Sequence, residues 1–123
     1  MSKTLFYGVG IFVPVSDLKR STEWYTNLLG FEITHNDEPN AMVTMMNDEK
    51  IVFCLVRSYD IKQQPFPRNE YSVEQYFNFH TTDVDNVHRI LRQKGANVGD
   101  IVDFDGMRGF SLIDPDGNRY GVV

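Results

Sequence analysis

Residues 10–33 read GIFVPVSDLKRSTEWYTNLLGFEI, and the same plan returns at residues 76–98 as YFNFHTTDVDNVHRILRQKGANV. In each copy a short alternating stretch leads to an aspartate (Asp17, Asp83), a helical pattern follows, and a glycine (Gly30, Gly95) closes it. An aspartate at a helix start accepts hydrogen bonds from the unpaired N–H groups of the first turn, and a glycine just past the end supplies the left-handed conformation that stops it. The aspartates and the glycines are offset by almost the same number of residues, so one supersecondary unit is used twice.

Working outward, Ile11, Val13 and Val15 fall on one face of the first strand (9–15) and Gly10, Phe12 and Pro14 on the other. Ser16 or Asp17 caps a helix whose Leu18, Ser21, Trp24, Tyr25 and Leu28 recur at helical spacing. Strands are predicted at 31–34, 41–46 and 50–57, the last two joined by a tight turn around Asn47 and Asp48. In the second copy a strand over 74–81 puts Tyr76, Asn78 and His80 on one face and Phe77 and Phe79 on the other. A helix capped by Asp83 turns Val84, Val87, Ile90 and Leu91 to the core. Further strands follow at 97–104, 107–113 and 119–123. The turn Asp114-Pro-Asp-Gly-Asn118 joins the last two, with proline and glycine where a hairpin turn favours them.

The fold class is α+β: two βαβββ modules at about 5–57 and 74–123 in a single domain spanning 1–123. The aperiodic, proline-containing stretch 58–73 connects them. A length of 123 residues, with 41% hydrophobic and 24% charged side chains, fits one ordinary globular core. A membrane span and a leader sequence are not expected, and a cytoplasmic location is. Net charge of −5 argues against a nucleic-acid partner, whose phosphates require clustered lysine and arginine. Cys54, the single cysteine, excludes an intrachain disulfide and a cysteine-based zinc cage.

The doubled module, the run from Val15 to Phe31 with its Asp-Leu, Trp-Tyr and Leu-Gly-Phe signatures, and the Asp-Pro-Asp-Gly-Asn turn together resemble the vicinal oxygen chelate superfamily. Glyoxalase I, fosfomycin-resistance enzymes, extradiol dioxygenases and bleomycin-resistance proteins belong to it. The resemblance covers nearly the whole chain and implies a cup-shaped mixed sheet with helices outside and a ligand inside. It also implies a homodimer. Metal-dependent members carry ligands at places that correspond here to Gly10, Tyr76 and Gly121, with a fourth at Phe53 or Cys54 depending on register. Glycine has no donor to offer, and phenol and thiol without imidazole or carboxylate make a poor set for a divalent cation. No metal, no cofactor and no catalytic residue are therefore expected.

No phosphate loop, dinucleotide fingerprint or nucleophile elbow is present. His88 reads as a helix-surface residue and Cys54 as core filling. Alternation places Phe12, Phe53, Tyr76, Asn78, His80, Ser111 and Arg119 on the inner face, aromatic walls with a few polar anchors that suit a small-molecule ligand. The expected function is binding or sequestration of a drug or metabolite, in the manner of bleomycin-resistance proteins. The segment from Tyr59 to Tyr71 is the expected cover of that pocket. The competing expectations are an enzyme, either metal-dependent with relocated ligands or using His80 as a general base, and a protein-interaction module with a filled cup.

Overall fold

A computed structural model describes residues 4–46, 50–104 and 106–123. The chain divides into two compact units, Met1–Ile61 and Lys62–Val123, each built as strand, helix and further strands.

In the first unit β1 (Val9–Val15) runs parallel to β4 (Ile51–Arg57), which pairs antiparallel with β3 (Ala41–Met45), and β3 with β2 (Glu32–Asp37). The alternation of β1 is as expected, with Val13 and Val15 buried and Phe12 79% exposed. Helix α1 (Leu18–Glu23) begins at Asp17, not Ser16, since the Asp17 carboxylate accepts from the Arg20 N–H at 3.1 Å. The helix continues as a wider π-helical turn, Trp24–Leu28, and Gly30 ends it at φ 77°. Tyr25, Phe31 and Phe53 then meet beneath the sheet, with ring centroids 5.1–6.4 Å apart. The expected turn at Asn47 and Asp48 lies outside the described residues.

The second unit orders its strands β5 (Phe77–Phe79), β9 (Arg119–Val122), β8 (Met107–Ile113) and β6 (Asn97–Val98), with β7 (Val102–Phe104) also paired to β8. Phe110, Leu112, Tyr120 and Val122 form its core with Leu91 of α2 (Val84–Gln93). β5 is shorter than the expected 74–81 because its parallel partner begins only at Arg119, and the Phe77 to Tyr120 register leaves residues before Tyr76 without a neighbour. The continuous strand expected over 97–104 is broken after Val98. There the Gly99 carbonyl lies 2.8 Å from Nε2 of His88, whose ring stands edge-on to Phe110. His88 is thus a half-buried strut between helix and sheet rather than a surface residue. On the outer surface Arg108 hydrogen-bonds both Asp85 and Asp103, and that bond holds the Asp85 carboxyl below the usual carboxylate range.

The β8–β9 turn is built on a carboxylate. Asp114 is 4% exposed, and its oxygens accept from the N–H groups of Asp116 and Asn118 and from the Asn118 side chain at 2.8–2.9 Å. That fixes where β9 starts, and with it Arg119.

Candidate functional site

Each sheet has a helix-covered face and an open face. On the first unit the open face carries Gly10, Phe12 and Pro14 of β1 opposite Val52, Cys54 and Val56 of β4. The register settles the ambiguity on β4: Phe53 is 2% exposed and belongs to the aromatic core, so its expected place on the inner face is corrected. Strand parity instead turns Cys54 to the open face, where it is partly exposed and not core filling. Burial, and then the charge of Asp37, push its thiol above the usual range. A raised value lowers the thiolate fraction at any given pH, so alkylation of Cys54 is expected to be slow at pH 8, to speed up only in more alkaline buffer, and to accelerate in Asp37→Asn. Iodoacetamide labelling followed by mass spectrometry measures this.

The open face of the second unit is richer. The register stacks it in rows: Tyr76 beside Arg119 and Ile113, then Asn78 beside Gly121 and Ser111, then His80 beside Val123 and Gly109. The middle row continues to Gly99, whose N–H donates to the Ser111 carbonyl at 2.9 Å, and it is low because its two glycines have other side chains lying over them. A Cβ on Gly121 would come within 2.1 Å of Asn78 Oδ1 and 2.7 Å of Gln75 Nε2, and one on Gly99 within 2.5 Å of Ser111 Oγ. Gln75 donates to Asn78 Oδ1 at 3.1 Å, which leaves the amide N–H groups as the remaining hydrogen-bonding capacity at the nitrogen of Asn78. The floor is therefore polar and uncharged.

The segment after Ile61 runs back along this face. Gln63 donates to the Asp116 carbonyl in the β8–β9 turn at 2.8 Å, and Phe66 packs on Tyr76 with centroids 4.8 Å apart. The Tyr76 hydroxyl donates to the Pro65 carbonyl at 3.4 Å. Asn69 shapes the rest, accepting from the N–H groups of Tyr71 and Val73 while donating to Pro67 and Val73 carbonyls. Tyr76 nevertheless remains 53% exposed.

Arg119 stands beside Tyr76 and donates through Nη2 to Glu74 at 2.6 Å. Both side chains are substantially exposed, and such a pair contributes about 0–1 kcal/mol. Arg119 Nε is meanwhile buried with no partner among the described residues, a situation that costs about 1–3 kcal/mol. The resting arrangement is thus poorly stabilised. His80 is exposed beyond the end of β5. Among the described residues no group of three His, Cys, Asp or Glu comes together in a form able to hold a metal ion. A shallow cavity of about 350 Å³ lined by His88, Arg89, Arg92 and Gln93 lies on α2 and shares no residue with the open face.

Of the seven expected residues, Tyr76, Asn78, His80, Ser111 and Arg119 share this one face, Phe12 lies on the open face of the first unit, and Phe53 is in the core. Sequence reasoning missed Gln75, Phe66 and Glu74. No sequence signal marks Gln75, because strand alternation places residues three apart on opposite faces.

Each unit of this doubled α+β architecture follows one strand–helix–strand plan, and the open face of the second carries aromatic and polar side chains with one arginine, Arg119. The chain belongs to the Glyoxalase/Bleomycin resistance protein/Dioxygenase superfamily, whose model matches residues 9–122. Among solved structures it is similar to TnmS3, an antibiotic binding protein from Streptomyces sp. CB03234, at 22% identity and a TM-score of 0.74, covering 99% of this chain and 96% of that one. It is also similar to the integron cassette protein HFX_CASS4 from the mobile metagenome of Halifax Harbour Sewage Outfall (23%, TM-score 0.77, 98% and 97% covered). A lactoylglutathione lyase from Agrobacterium tumefaciens is more distant at 17% identity and TM-score 0.71, with 99% and 93% covered. No curated protein matches the chain in sequence. At these identities the likenesses establish the fold. No helix among the described residues is long and apolar enough to cross a membrane.

Proposed function

We propose that the protein binds and sequesters a planar, oxygen-bearing small molecule on the open face of its second unit, without a metal ion and without transforming the guest. The observation that carries this reading is the joint presence there of an exposed aromatic ring, Tyr76, and a floor of hydrogen-bonding groups from Asn78 and Ser111 over bare glycine backbone. An aromatic ring supplies apolar area at small conformational cost, and the amide and hydroxyl fix orientation. The antibiotic-binding TnmS3 shares the fold and gives the reading a precedent.

The family's metal does not fit the groups at its usual places. Gly10 has open space and no donor, and the room a side chain would take at Gly121 is filled by the Asn78 amide. The Tyr76 hydroxyl is spent on Pro65, and Cys54 is biased toward the neutral thiol. A cation needs several anionic or imidazole donors together.

The reading includes a homodimer in the cytoplasm, supported by exposed Leu5, Phe6, Tyr7 and Phe12, apolar area that a second copy would cover. Sedimentation at micromolar concentration gives the mass of a dimer on this reading and of a monomer otherwise.

A thermal-shift screen of planar oxygenated aromatics, antibiotics included, tests the function, because a ligand that binds the native state must raise its melting temperature. Tyr76→Ala is expected to weaken a hit about tenfold or more, whereas Tyr76→Phe, which keeps the ring and loses only the Pro65 bond, retains most of the affinity. Stoichiometric metal in protein purified without chelators, or chemical conversion of the hit, overturns the reading.

A further inference from the structure

We propose that Glu74 is a placeholder on Arg119, and that the site selects planar guests carrying an acidic oxygen, a carboxylate or phenolate, which takes the guanidinium from it. The inference rests on the binding reading above and adds the charge class of the guest. It runs against the chain's overall charge of −5, which by itself attracts cations.

Three observations point the same way. The Arg119–Glu74 pair is the weak partner in its own arrangement: it lies in solvent, with Glu74 67% exposed, while holding the guanidinium so that Nε is buried and unpartnered. Release of Glu74 returns a carboxylate to water at little cost, and release of Arg119 lets Nε find an acceptor. The guanidinium also sits in the same row as Tyr76, so a guest stacked on that ring presents its edge to Arg119. Finally, the neighbouring groups are biased toward donation. Asn78 Oδ1 accepts from Gln75, leaving the Asn78 amide N–H groups as its donors, in the same row of the sheet as Ser111. Donors on one wall, with a planar fork that matches a carboxylate in two parallel hydrogen bonds, fit an electron-rich oxygenated edge and not a cationic one.

The test uses matched pairs of guests, naphthalene and anthraquinone carboxylic acids with their carboxamides, titrated into the full-length protein by calorimetry at low ionic strength. The acid is expected to bind about tenfold more tightly than its amide. Arg119→Gln collapses that ratio to about one, and Arg119→Lys, which keeps the charge but not the fork, retains part of it. Glu74→Gln, a change at an exposed carboxylate that leaves Arg119 in place, raises the acid's affinity because the competitor is gone. Equal affinity of acid and amide for the wild type, or a ratio unchanged in Arg119→Gln, overturns the acidic-guest inference and leaves the binding reading standing. Failure of every acid and every amide to bind overturns both.

Discussion

Phe53→Ala is expected to lower the stability of the first unit by about 3–5 kcal/mol, the cost of emptying a packed aromatic site. Phe53 is 2% exposed and its ring lies 5.1 Å from Phe31 and 6.4 Å from Tyr25, so the cavity opens in the middle of the core that holds α1 to the sheet. Neighbours can collapse into it only partly, because Leu55 and Thr44 around it are fully buried in register-fixed strands. Urea unfolding followed by circular dichroism measures the loss. The result separates two roles for this position: a ligand-contacting phenylalanine, removed, leaves stability nearly intact and weakens binding, whereas a core phenylalanine does the reverse. Phe12→Ala is the control. With that side chain 79% exposed, it changes stability by no more than about 0.5 kcal/mol.

Asp114→Ala is expected to destabilise the second unit by about 2–4 kcal/mol, since three N–H donors that converge on one buried carboxylate lose their acceptor together. Asp114→Asn keeps one acceptor oxygen and falls between. The effect reaches the site, because this turn sets the residue at which β9 begins, and Arg119 is the first residue of β9. The Gln63 anchor of the preceding segment also ends on this turn, at the Asp116 carbonyl. A protein that retains its fold at low temperature in this variant is therefore expected to bind guests more weakly as well, and the same titrations that report on Arg119 read that loss.

Much of this was legible in the residues because the signals are local. Asp17 and Asp83 accept from the third residue of each helix, and Gly30 and Gly95 take positive φ at their ends, just as a capping aspartate and a terminating glycine require. Alternation sorted the faces of β1 and β5 without knowledge of their neighbours. Where two readings depended on pairing, sequence could not decide. Phe53 and Cys54 are adjacent residues of one apolar strand, and only the Ile11 to Phe53 register with β1 says which of them faces the helix. The break in 97–104 is likewise a tertiary event, since the Gly99 carbonyl turns to a histidine eleven residues earlier. Gln75 and Glu74 escaped notice because an exposed amide and an exposed carboxylate look like ordinary surface until the groups they reach are known.

The family assignment rests on the whole chain, whereas the function rests on a few side chains above two glycines. Gly121 shows how the two levels join. A side chain at that place would collide with the Asn78 amide, so glycine is what allows the polar floor.

The most direct test is a titration of isotope-labelled, chelator-treated protein with a screened planar guest, followed by amide chemical shifts. The account predicts saturable shifts centred on Asn78, Ser111, Arg119 and Gly121, unchanged when chelator stays in the buffer. Shifts confined to α2 around His88 and Arg92, or binding that disappears with the chelator and returns on adding a divalent metal, would contradict it.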